Sequence, residues 1–436
     1  MNKITVIGGG LAGCEAALQI AKRGIKVELL EMKPSKKTPA HRSDNLAELV
    51  CSNSLKAMRI DSAAGLLKEE MRWFGSVCLD AADRSQVAAG GALAVDRDIF
   101  SSLVTNAVKS HPDITVRATV VTDIPKDSVT VVATGPLTDG ELAEKIGSLC
   151  DGGNLSFYDA AAPIVTAESI DMSEAFCASR YDKGGDDYIN CPMNKEEYTA
   201  FYNELINAES APVHGFDKAP KVYEGCMPVE VLANRGEDSI RFGPLKPMGL
   251  RDPRTGHRPW AAVQLRRENS SGTLYNLVGF QTNLKFPEQK RVFSMIPGLH
   301  NAEFMRYGVM HRNTFINSPV LLNRELSLKT NGNIFFAGQL SGVEGYMESA
   351  ASGIIAGINA AARVKGEKPL VLPEFTMIGA LLSYICDGSV KDFQPMGANF
   401  GILPPLDTAI RDKRERYAAF SKRSLDWFCD NIKTEE

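Results

Sequence analysis

The chain lacks the marks of several common kinds of site. Its nine cysteines contain no CxxC pair and its six histidines no HxxxH pair, so no metal site is expected. The cysteine count is odd and the spacing irregular, which fits a reduced cytoplasmic protein rather than a disulfide scaffold. No apolar run approaches the ~20 residues of a membrane span, and with an apolar strand already beginning at Lys3 no leader peptide is expected. Neither sign of charge dominates, since 49 Lys and Arg face 53 Asp and Glu. That balance argues against blanket attraction to nucleic acid and leaves a local basic face open.

What is present begins at the amino terminus. The strand Ile4 to Ile7 runs directly into Gly8-Gly9-Gly10-Leu11-Ala12-Gly13, which opens a helix of small residues, and the strand Lys26 to Leu30 ends on Glu31. Each part of this pattern has a physical task. Gly8 permits the tight turn, Gly10 lets backbone approach a pyrophosphate, and Gly13 lets helix and strand sit close. The first N–H groups of the helix attract phosphate, and an acid about 20 residues on accepts hydrogen bonds from a ribose. Ala12, Ala16 and Ile20 recur at i, i+4 and form a narrow face suited to lying on a sheet.

Two later stretches repeat the theme. Val129 to Ala133 is a β-branched run that closes on Thr134-Gly135, a strand tip that a ligand can approach. Asn333 to Ala337 runs into a glycine-rich turn containing Gly338 and Gly342, followed by a small-residue helix from Tyr346. A second helix N-terminus so far along the chain suits the ring end of a flavin dinucleotide. The expected fold class is therefore α/β. A Rossmann-like FAD-binding domain over 1–160 and 311–436 is interrupted by an inserted α+β domain over 161–310.

Two cysteines and one basic stretch stand out. Cys51 precedes Ser52-Asn53-Ser54, residues suited to an N-cap, with Lys56 nearby. It reads either as a thiol of lowered pKa or as a small buried hydrophobe. Cys226 sits just ahead of Pro228, which fits the first turn of a helix whose dipole would favour a thiolate. The run Arg241, Lys246, Arg251, Arg254, Arg258, Arg266 and Arg267, with Trp260 interleaved, suits either phosphate contact and base stacking or a solvated loop. Cys191 reads as structural.

The segments IGGGLAGCEAA, AHRSDNLAELVCSNSLK, VVATGP, EGCMPVEVLANRG and FFAGQLSGVEGYMESAASG resemble the folate- and FAD-dependent tRNA uracil-5-methyltransferases. The likeness runs in order over nearly the whole chain. A larger flavoprotein family that modifies the wobble uridine shares the flavin segments but carries a long extra helical domain. The resemblance implies methylenetetrahydrofolate as carbon donor, FAD as redox cofactor, NAD(P)H as reductant and tRNA as substrate. It also implies Cys226 as the nucleophile that adds to uracil C6 and Cys51 as the base at C5. Gly8, Gly9, Gly10, Leu11, Ala12, Gly13, Glu31, Gly135, Gly338 and Gly342 are the expected cofactor contacts. Arg251, Arg254, Arg258 and Trp260 are the expected RNA contacts. No second dinucleotide fingerprint marks a separate nicotinamide site. The rival readings are the same chemistry on ribosomal RNA and a flavin oxidoreductase acting on a small molecule.

Overall fold

The computed structural model describes residues 3–38, 40–125, 127–149, 154–182, 185–212, 227–390 and 393–432. Five short apolar strands form one parallel sheet in the order Ile334–Phe336, Thr130–Val132, Lys3–Ile7, Lys26–Glu31, Ile114–Ala118. Helices cover these strands, which is why they read as Val, Ile and Leu runs rather than alternating ones. The strands being parallel, their carboxyl ends lie along one edge. Strand order reverses about Lys3–Ile7, and a crevice opens at such a switch point.

The helix Leu11–Lys22 follows that strand, and it is buried on nearly every side. Its Ala12 and Ala16 face meets the helix Tyr346–Lys365 rather than lying flat on the sheet. The reason is close backbone approach. A Cβ on Gly353 would lie 2.2 Å from the Ala12 carbonyl oxygen, and one on Gly357 would lie 2.6 Å from that of Ala16. Small residues on both sides let the two helices touch backbone to backbone.

A six-stranded sheet builds a second core. Its order is Phe176–Cys177, Tyr188–Met193, Ala261–Arg267, Leu274–Leu277, Ile164–Thr166, Phe304–Arg306, and every pair is antiparallel. The helices Lys195–Asn207 and Phe286–Phe293 supply Phe201, Leu205, Val292 and Phe293 to this core. Asn154–Ala160 and Met310–Ile316 pair antiparallel where the chain enters and leaves this region.

Between the first two strands of the parallel sheet and its third, the chain departs from expectation. Ser52 to Ser54 start no helix. Ser54–Ala57 is instead a strand of a three-stranded antiparallel sheet with Gln86–Val87 and Ala92–Val95. The Asn53 amide leaves its own backbone uncapped and donates to the carbonyls of Val95 (3.1 Å) and Arg267 (2.9 Å). Three helices follow, Ala63–Arg72, Val77–Arg84 and Arg97–Ser110, with the strands Gln86–Val87 and Ala92–Val95 between the second and third. Asp96 caps the last, accepting from the Asp98 and Ile99 N–H groups.

The carboxyl-terminal helices are fastened by one buried acid. Glu70 accepts from the N–H groups of Met377 (2.6 Å) and Ile378 (2.8 Å) and from the Ser424 hydroxyl (2.6 Å). Burial raises its pKa to about 7. A Gly→Ala change inside a helix normally stabilises by ~1 kcal/mol. At position 353 the sign is expected to reverse, because the added methyl meets backbone. Gly353→Ala should lower stability by about 2 kcal/mol, the usual cost of overpacking, as measured by urea unfolding.

Candidate active site

At the carboxyl edge of the parallel sheet lies a cavity of about 420 Å³, a size typical of ligand sites. Gly8, Gly9, Gly10, Leu11, Ala12, Glu31, Gly135 and Gly338 all line it. Gly8 holds φ +102°, and a Cβ there would meet the Ala133 carbonyl at 2.5 Å. Gly10 differs, for a Cβ on it would meet nothing within 4 Å, so the space above it is cavity. The first intrahelical bond runs from the Cys14 N–H to the Gly10 carbonyl at 2.9 Å, which leaves the Leu11, Ala12 and Gly13 N–H groups ahead of the ladder. Glu31 is buried, and its carboxylate accepts from the Gly9 N–H at 2.6 Å and the Lys33 N–H at 2.9 Å. A glycine turn, free helix N–H groups and a fixed acid on one crevice fit a dinucleotide.

Gly13 and Gly342 do not line the cavity. Any Cβ on Gly13 would lie 1.8 Å from the Gly8 carbonyl oxygen, so this glycine serves helix-to-turn packing. Gly342 sits against the Phe393 ring, at 2.4 Å for a Cβ.

Tyr346 joins the cavity to a thiol. It is the first residue of its helix and lines the cavity. Its hydroxyl oxygen lies 3.1 Å from Cys51 Sγ and accepts from the Cys51 N–H at 2.9 Å and the Ser52 N–H at 3.3 Å. Three arginines hold the surrounding loop. Arg97 donates to the Leu49 carbonyl (2.7 Å), Arg306 to that of Val50 (2.5 Å), and Arg266 to Ser52 Oγ (3.1 Å) and Asn53 Oδ1 (3.0 Å). Glu268 pairs with Arg97 at 2.8 Å. Arg306 has no carboxylate partner among the described residues, and burial beside Arg97 and Arg42 brings its pKa down to about 10. Lys56, expected beside the thiol, has its ammonium 2.6 Å from Glu348.

Cys226 lies outside the described residues. On either side of that segment, the chain is pinned to one turn. The Ala211 N–H donates to the Asn283 carbonyl and the Val229 N–H to the Gln281 carbonyl, both at 2.7 Å. Glu230 accepts from Thr282 Oγ1 (2.8 Å) and the Asn283 N–H (2.7 Å). Pro228 caps the short helix Val229–Ala233, one residue ahead of its expected place in the first turn. Gln289 then exchanges two 2.8 Å hydrogen bonds with Gly308, two residues after Arg306.

The basic stretch divides. Arg251 and Arg258 are exposed. Arg254 is chelated by Asp252 at 3.0 and 2.7 Å and also donates to the Ser173 carbonyl. The Trp260 ring is covered by the Arg241 guanidinium, 3.8 Å from its centroid. Arg266 is buried at the Cys51 loop rather than on the surface. Sequence reasoning missed Tyr346, Arg97 and Arg306 as thiol neighbours, since the partners lie tens to hundreds of positions from Cys51. It also missed two exposed aromatics, Tyr181 (56% exposed, φ +59°), whose ring lies against Gly249, and Phe242 (63% exposed), whose ring lies under Arg241. Cys191 is fully buried, and burial pushes its thiol up to about 12.

A family model described as glucose inhibited division protein A matches residues 3–368. The chain belongs to that family. Curated relatives named methylenetetrahydrofolate–tRNA-(uracil-5-)-methyltransferase TrmFO include that of Acetivibrio thermocellus, 61% identical and covering 98% of this chain and 97% of its own. The same name is borne by a Desulforamulus reducens protein, 56% identical over 100% of this chain and 98% of its own. Among solved structures, Aquifex aeolicus GidA superposes with a TM-score of 0.69 at 18% identity, covering 99% of this chain and 74% of that one. This last likeness concerns the fold of the family.

The open space above Gly10 generates a test. Gly10→Val should leave the circular dichroism spectrum unchanged while removing the yellow absorbance of bound flavin, because its side chain meets cavity rather than protein. Retained colour would separate this cavity from the cofactor.

Proposed function

We propose that the chain transfers a one-carbon unit from methylenetetrahydrofolate to C5 of a uridine in the T-loop of tRNA, making 5-methyluridine, with FAD in the glycine-lined cavity and NAD(P)H as reductant. The supporting observation is that one residue, Tyr346, lines the cavity and also contacts Cys51, in a chain 61% identical to a relative bearing that name. In its reduced form, bound FAD supplies the hydride that turns a methylene into a methyl.

The remaining work falls to the chain's own residues. Gly8, Gly9, Gly10, Leu11 and Ala12 offer backbone to the pyrophosphate, Glu31 accepts from the ribose, and Gly135 and Gly338 leave room at two further strand tips. Uracil C5 is a weak nucleophile until a group adds to C6. Cys226 takes that part. Its thiolate forms the S–C6 bond, and the displaced electron pair gives an enolate whose C5 attacks the one-carbon unit. Cys51 removes the C5 proton, and the electron pair left behind expels tetrahydrofolate to leave an exocyclic methylene. Reduction of that methylene to methyl restores the C5–C6 double bond as sulfur leaves.

Residues 161–310 act as the substrate-facing domain and 1–160 with 311–436 as the cofactor domain. Arg251 and Arg258 meet phosphate, with Tyr181 and Phe242 adding stacking surface. With no second nucleotide fingerprint, the reducing equivalents come either from a nicotinamide sharing the flavin-side crevice with folate or through another protein.

The test is anaerobic turnover with methylenetetrahydrofolate, NADPH and a tRNA transcript, read by mass spectrometry of the digested nucleosides. The wild type should yield 5-methyluridine, and Cys51→Ala should lose at least ~10²-fold in rate, the usual contribution of a general base. On RNA containing 5-fluorouridine, Cys51→Ala should still form a covalent complex and Cys226→Ala should form none. An adduct lost in Cys51→Ala would reverse the two roles. Methylation of ribosomal RNA alone would move the substrate. Flavin bleaching under anaerobic NADH or NADPH checks the reductant, and absence of bleaching with both would remove NAD(P)H from the reaction.

A further inference from the structure

We infer that Tyr346 is a positioning residue that holds Cys51 as a thiolate, by donating its phenol proton to Sγ. The direction of that proton follows from counting lone pairs. The phenol oxygen already accepts two N–H groups, from Cys51 at 2.9 Å and Ser52 at 3.3 Å. With both lone pairs engaged, its own hydrogen is what remains for sulfur, so Sγ is the acceptor.

The separation agrees. Cys14, Cys78 and Cys386, whose thiols donate to backbone carbonyls, do so at 3.4, 4.0 and 3.3 Å. Cys51 Sγ is closer to its partner, at 3.1 Å, as expected when one partner is ionised. A protonated Sγ would accept this bond only weakly, and the phenol oxygen has no lone pair left to take its S–H in return. The site therefore prefers unprotonated sulfur, and the proton released on ionisation passes to solvent.

The surrounding charges favour the same state. Arg97 and Arg306 face the phenol, Arg42 faces Arg306, and Arg266 reaches the loop through Ser52. Glu268 opposes them, and it is tied to Arg97. Tyr346 itself stays protonated, since burial and the neighbouring sulfur hold its pKa well above the usual range. The thiol is thus the member of the pair that titrates.

This inference rests on the reading of Cys51 as the base, but its test does not use methylation. The rate of iodoacetamide alkylation is followed against pH on the peptide containing Cys51, by mass spectrometry of the flavin-loaded protein. Tyr346→Phe should raise the midpoint by at least one pH unit, giving about tenfold slower alkylation near neutrality. Replacing Tyr346 by 3-fluorotyrosine, a near-isosteric and stronger donor, should move the midpoint down, and this variant decides the matter if the Phe protein does not fold. A midpoint unchanged in both overturns the inference, because loop packing alone gives no opposite shifts. The two readings can also fail separately. Opposite shifts with methylation intact in Cys51→Ala would keep this pairing and remove Cys51 from the reaction. Unchanged midpoints with methylation lost in Cys51→Ala would keep the base and remove Tyr346.

Discussion

The contact between the helices Leu11–Lys22 and Tyr346–Lys365 is the constraint on which the candidate site depends. Glycine and alanine on the facing surfaces allow Gly353 to approach the Ala12 backbone and Gly357 that of Ala16. Two helices from opposite ends of the chain thereby begin at the same edge of the parallel sheet. One start brings Gly10 and its free N–H groups, and the other brings Tyr346. Larger residues at the contact would separate these two starts and widen the crevice between them.

The second core meets the first through charge and hydrogen bonds rather than a continuous apolar face. Arg97 to Glu268, Arg266 to Asn53, Asn53 to the Arg267 carbonyl and Asp96 to Ser270 all cross between them. Most of these side chains are buried. Removing one partner of such a pair leaves an uncompensated polar group, which costs far more than the pair itself contributes. The same bonds fix the loop that carries Cys51, so the geometry around the thiol and the seating of the two cores are set together. That coupling explains why Arg266, which sequence pattern groups with surface arginines, belongs to the interior.

The opening glycine pattern, the acid at position 31 and the strands ending at Val132 and Phe336 were legible in the sequence because each is local. A strand, a tight turn and a helix start are decided by neighbours within a few residues, through steric limits and hydrogen bonding. Side-chain capping is where local reading failed. Ser52 to Ser54 have N-cap chemistry, yet the Asn53 amide finds better partners 42 and 214 positions away, and a strand forms instead. Ala12 and Ala16 read correctly as a packing face, but period alone does not tell a helix from a sheet as the surface packed upon.

By itself, then, the sequence determined the α/β class, the dinucleotide crevice and the two cysteines to which the resemblance assigns the chemistry. Tertiary structure alone decided what stands next to one of those thiols. Tyr346 is 295 residues from Cys51, Arg306 is 256 from Val50, and Arg266 is 214 from Ser52. A side chain's acidity depends on charges and donors within a few ångströms, and no periodicity in a chain encodes a neighbour that far along it. Only folding, by pressing two small-residue helices together, brings that phenol to that sulfur.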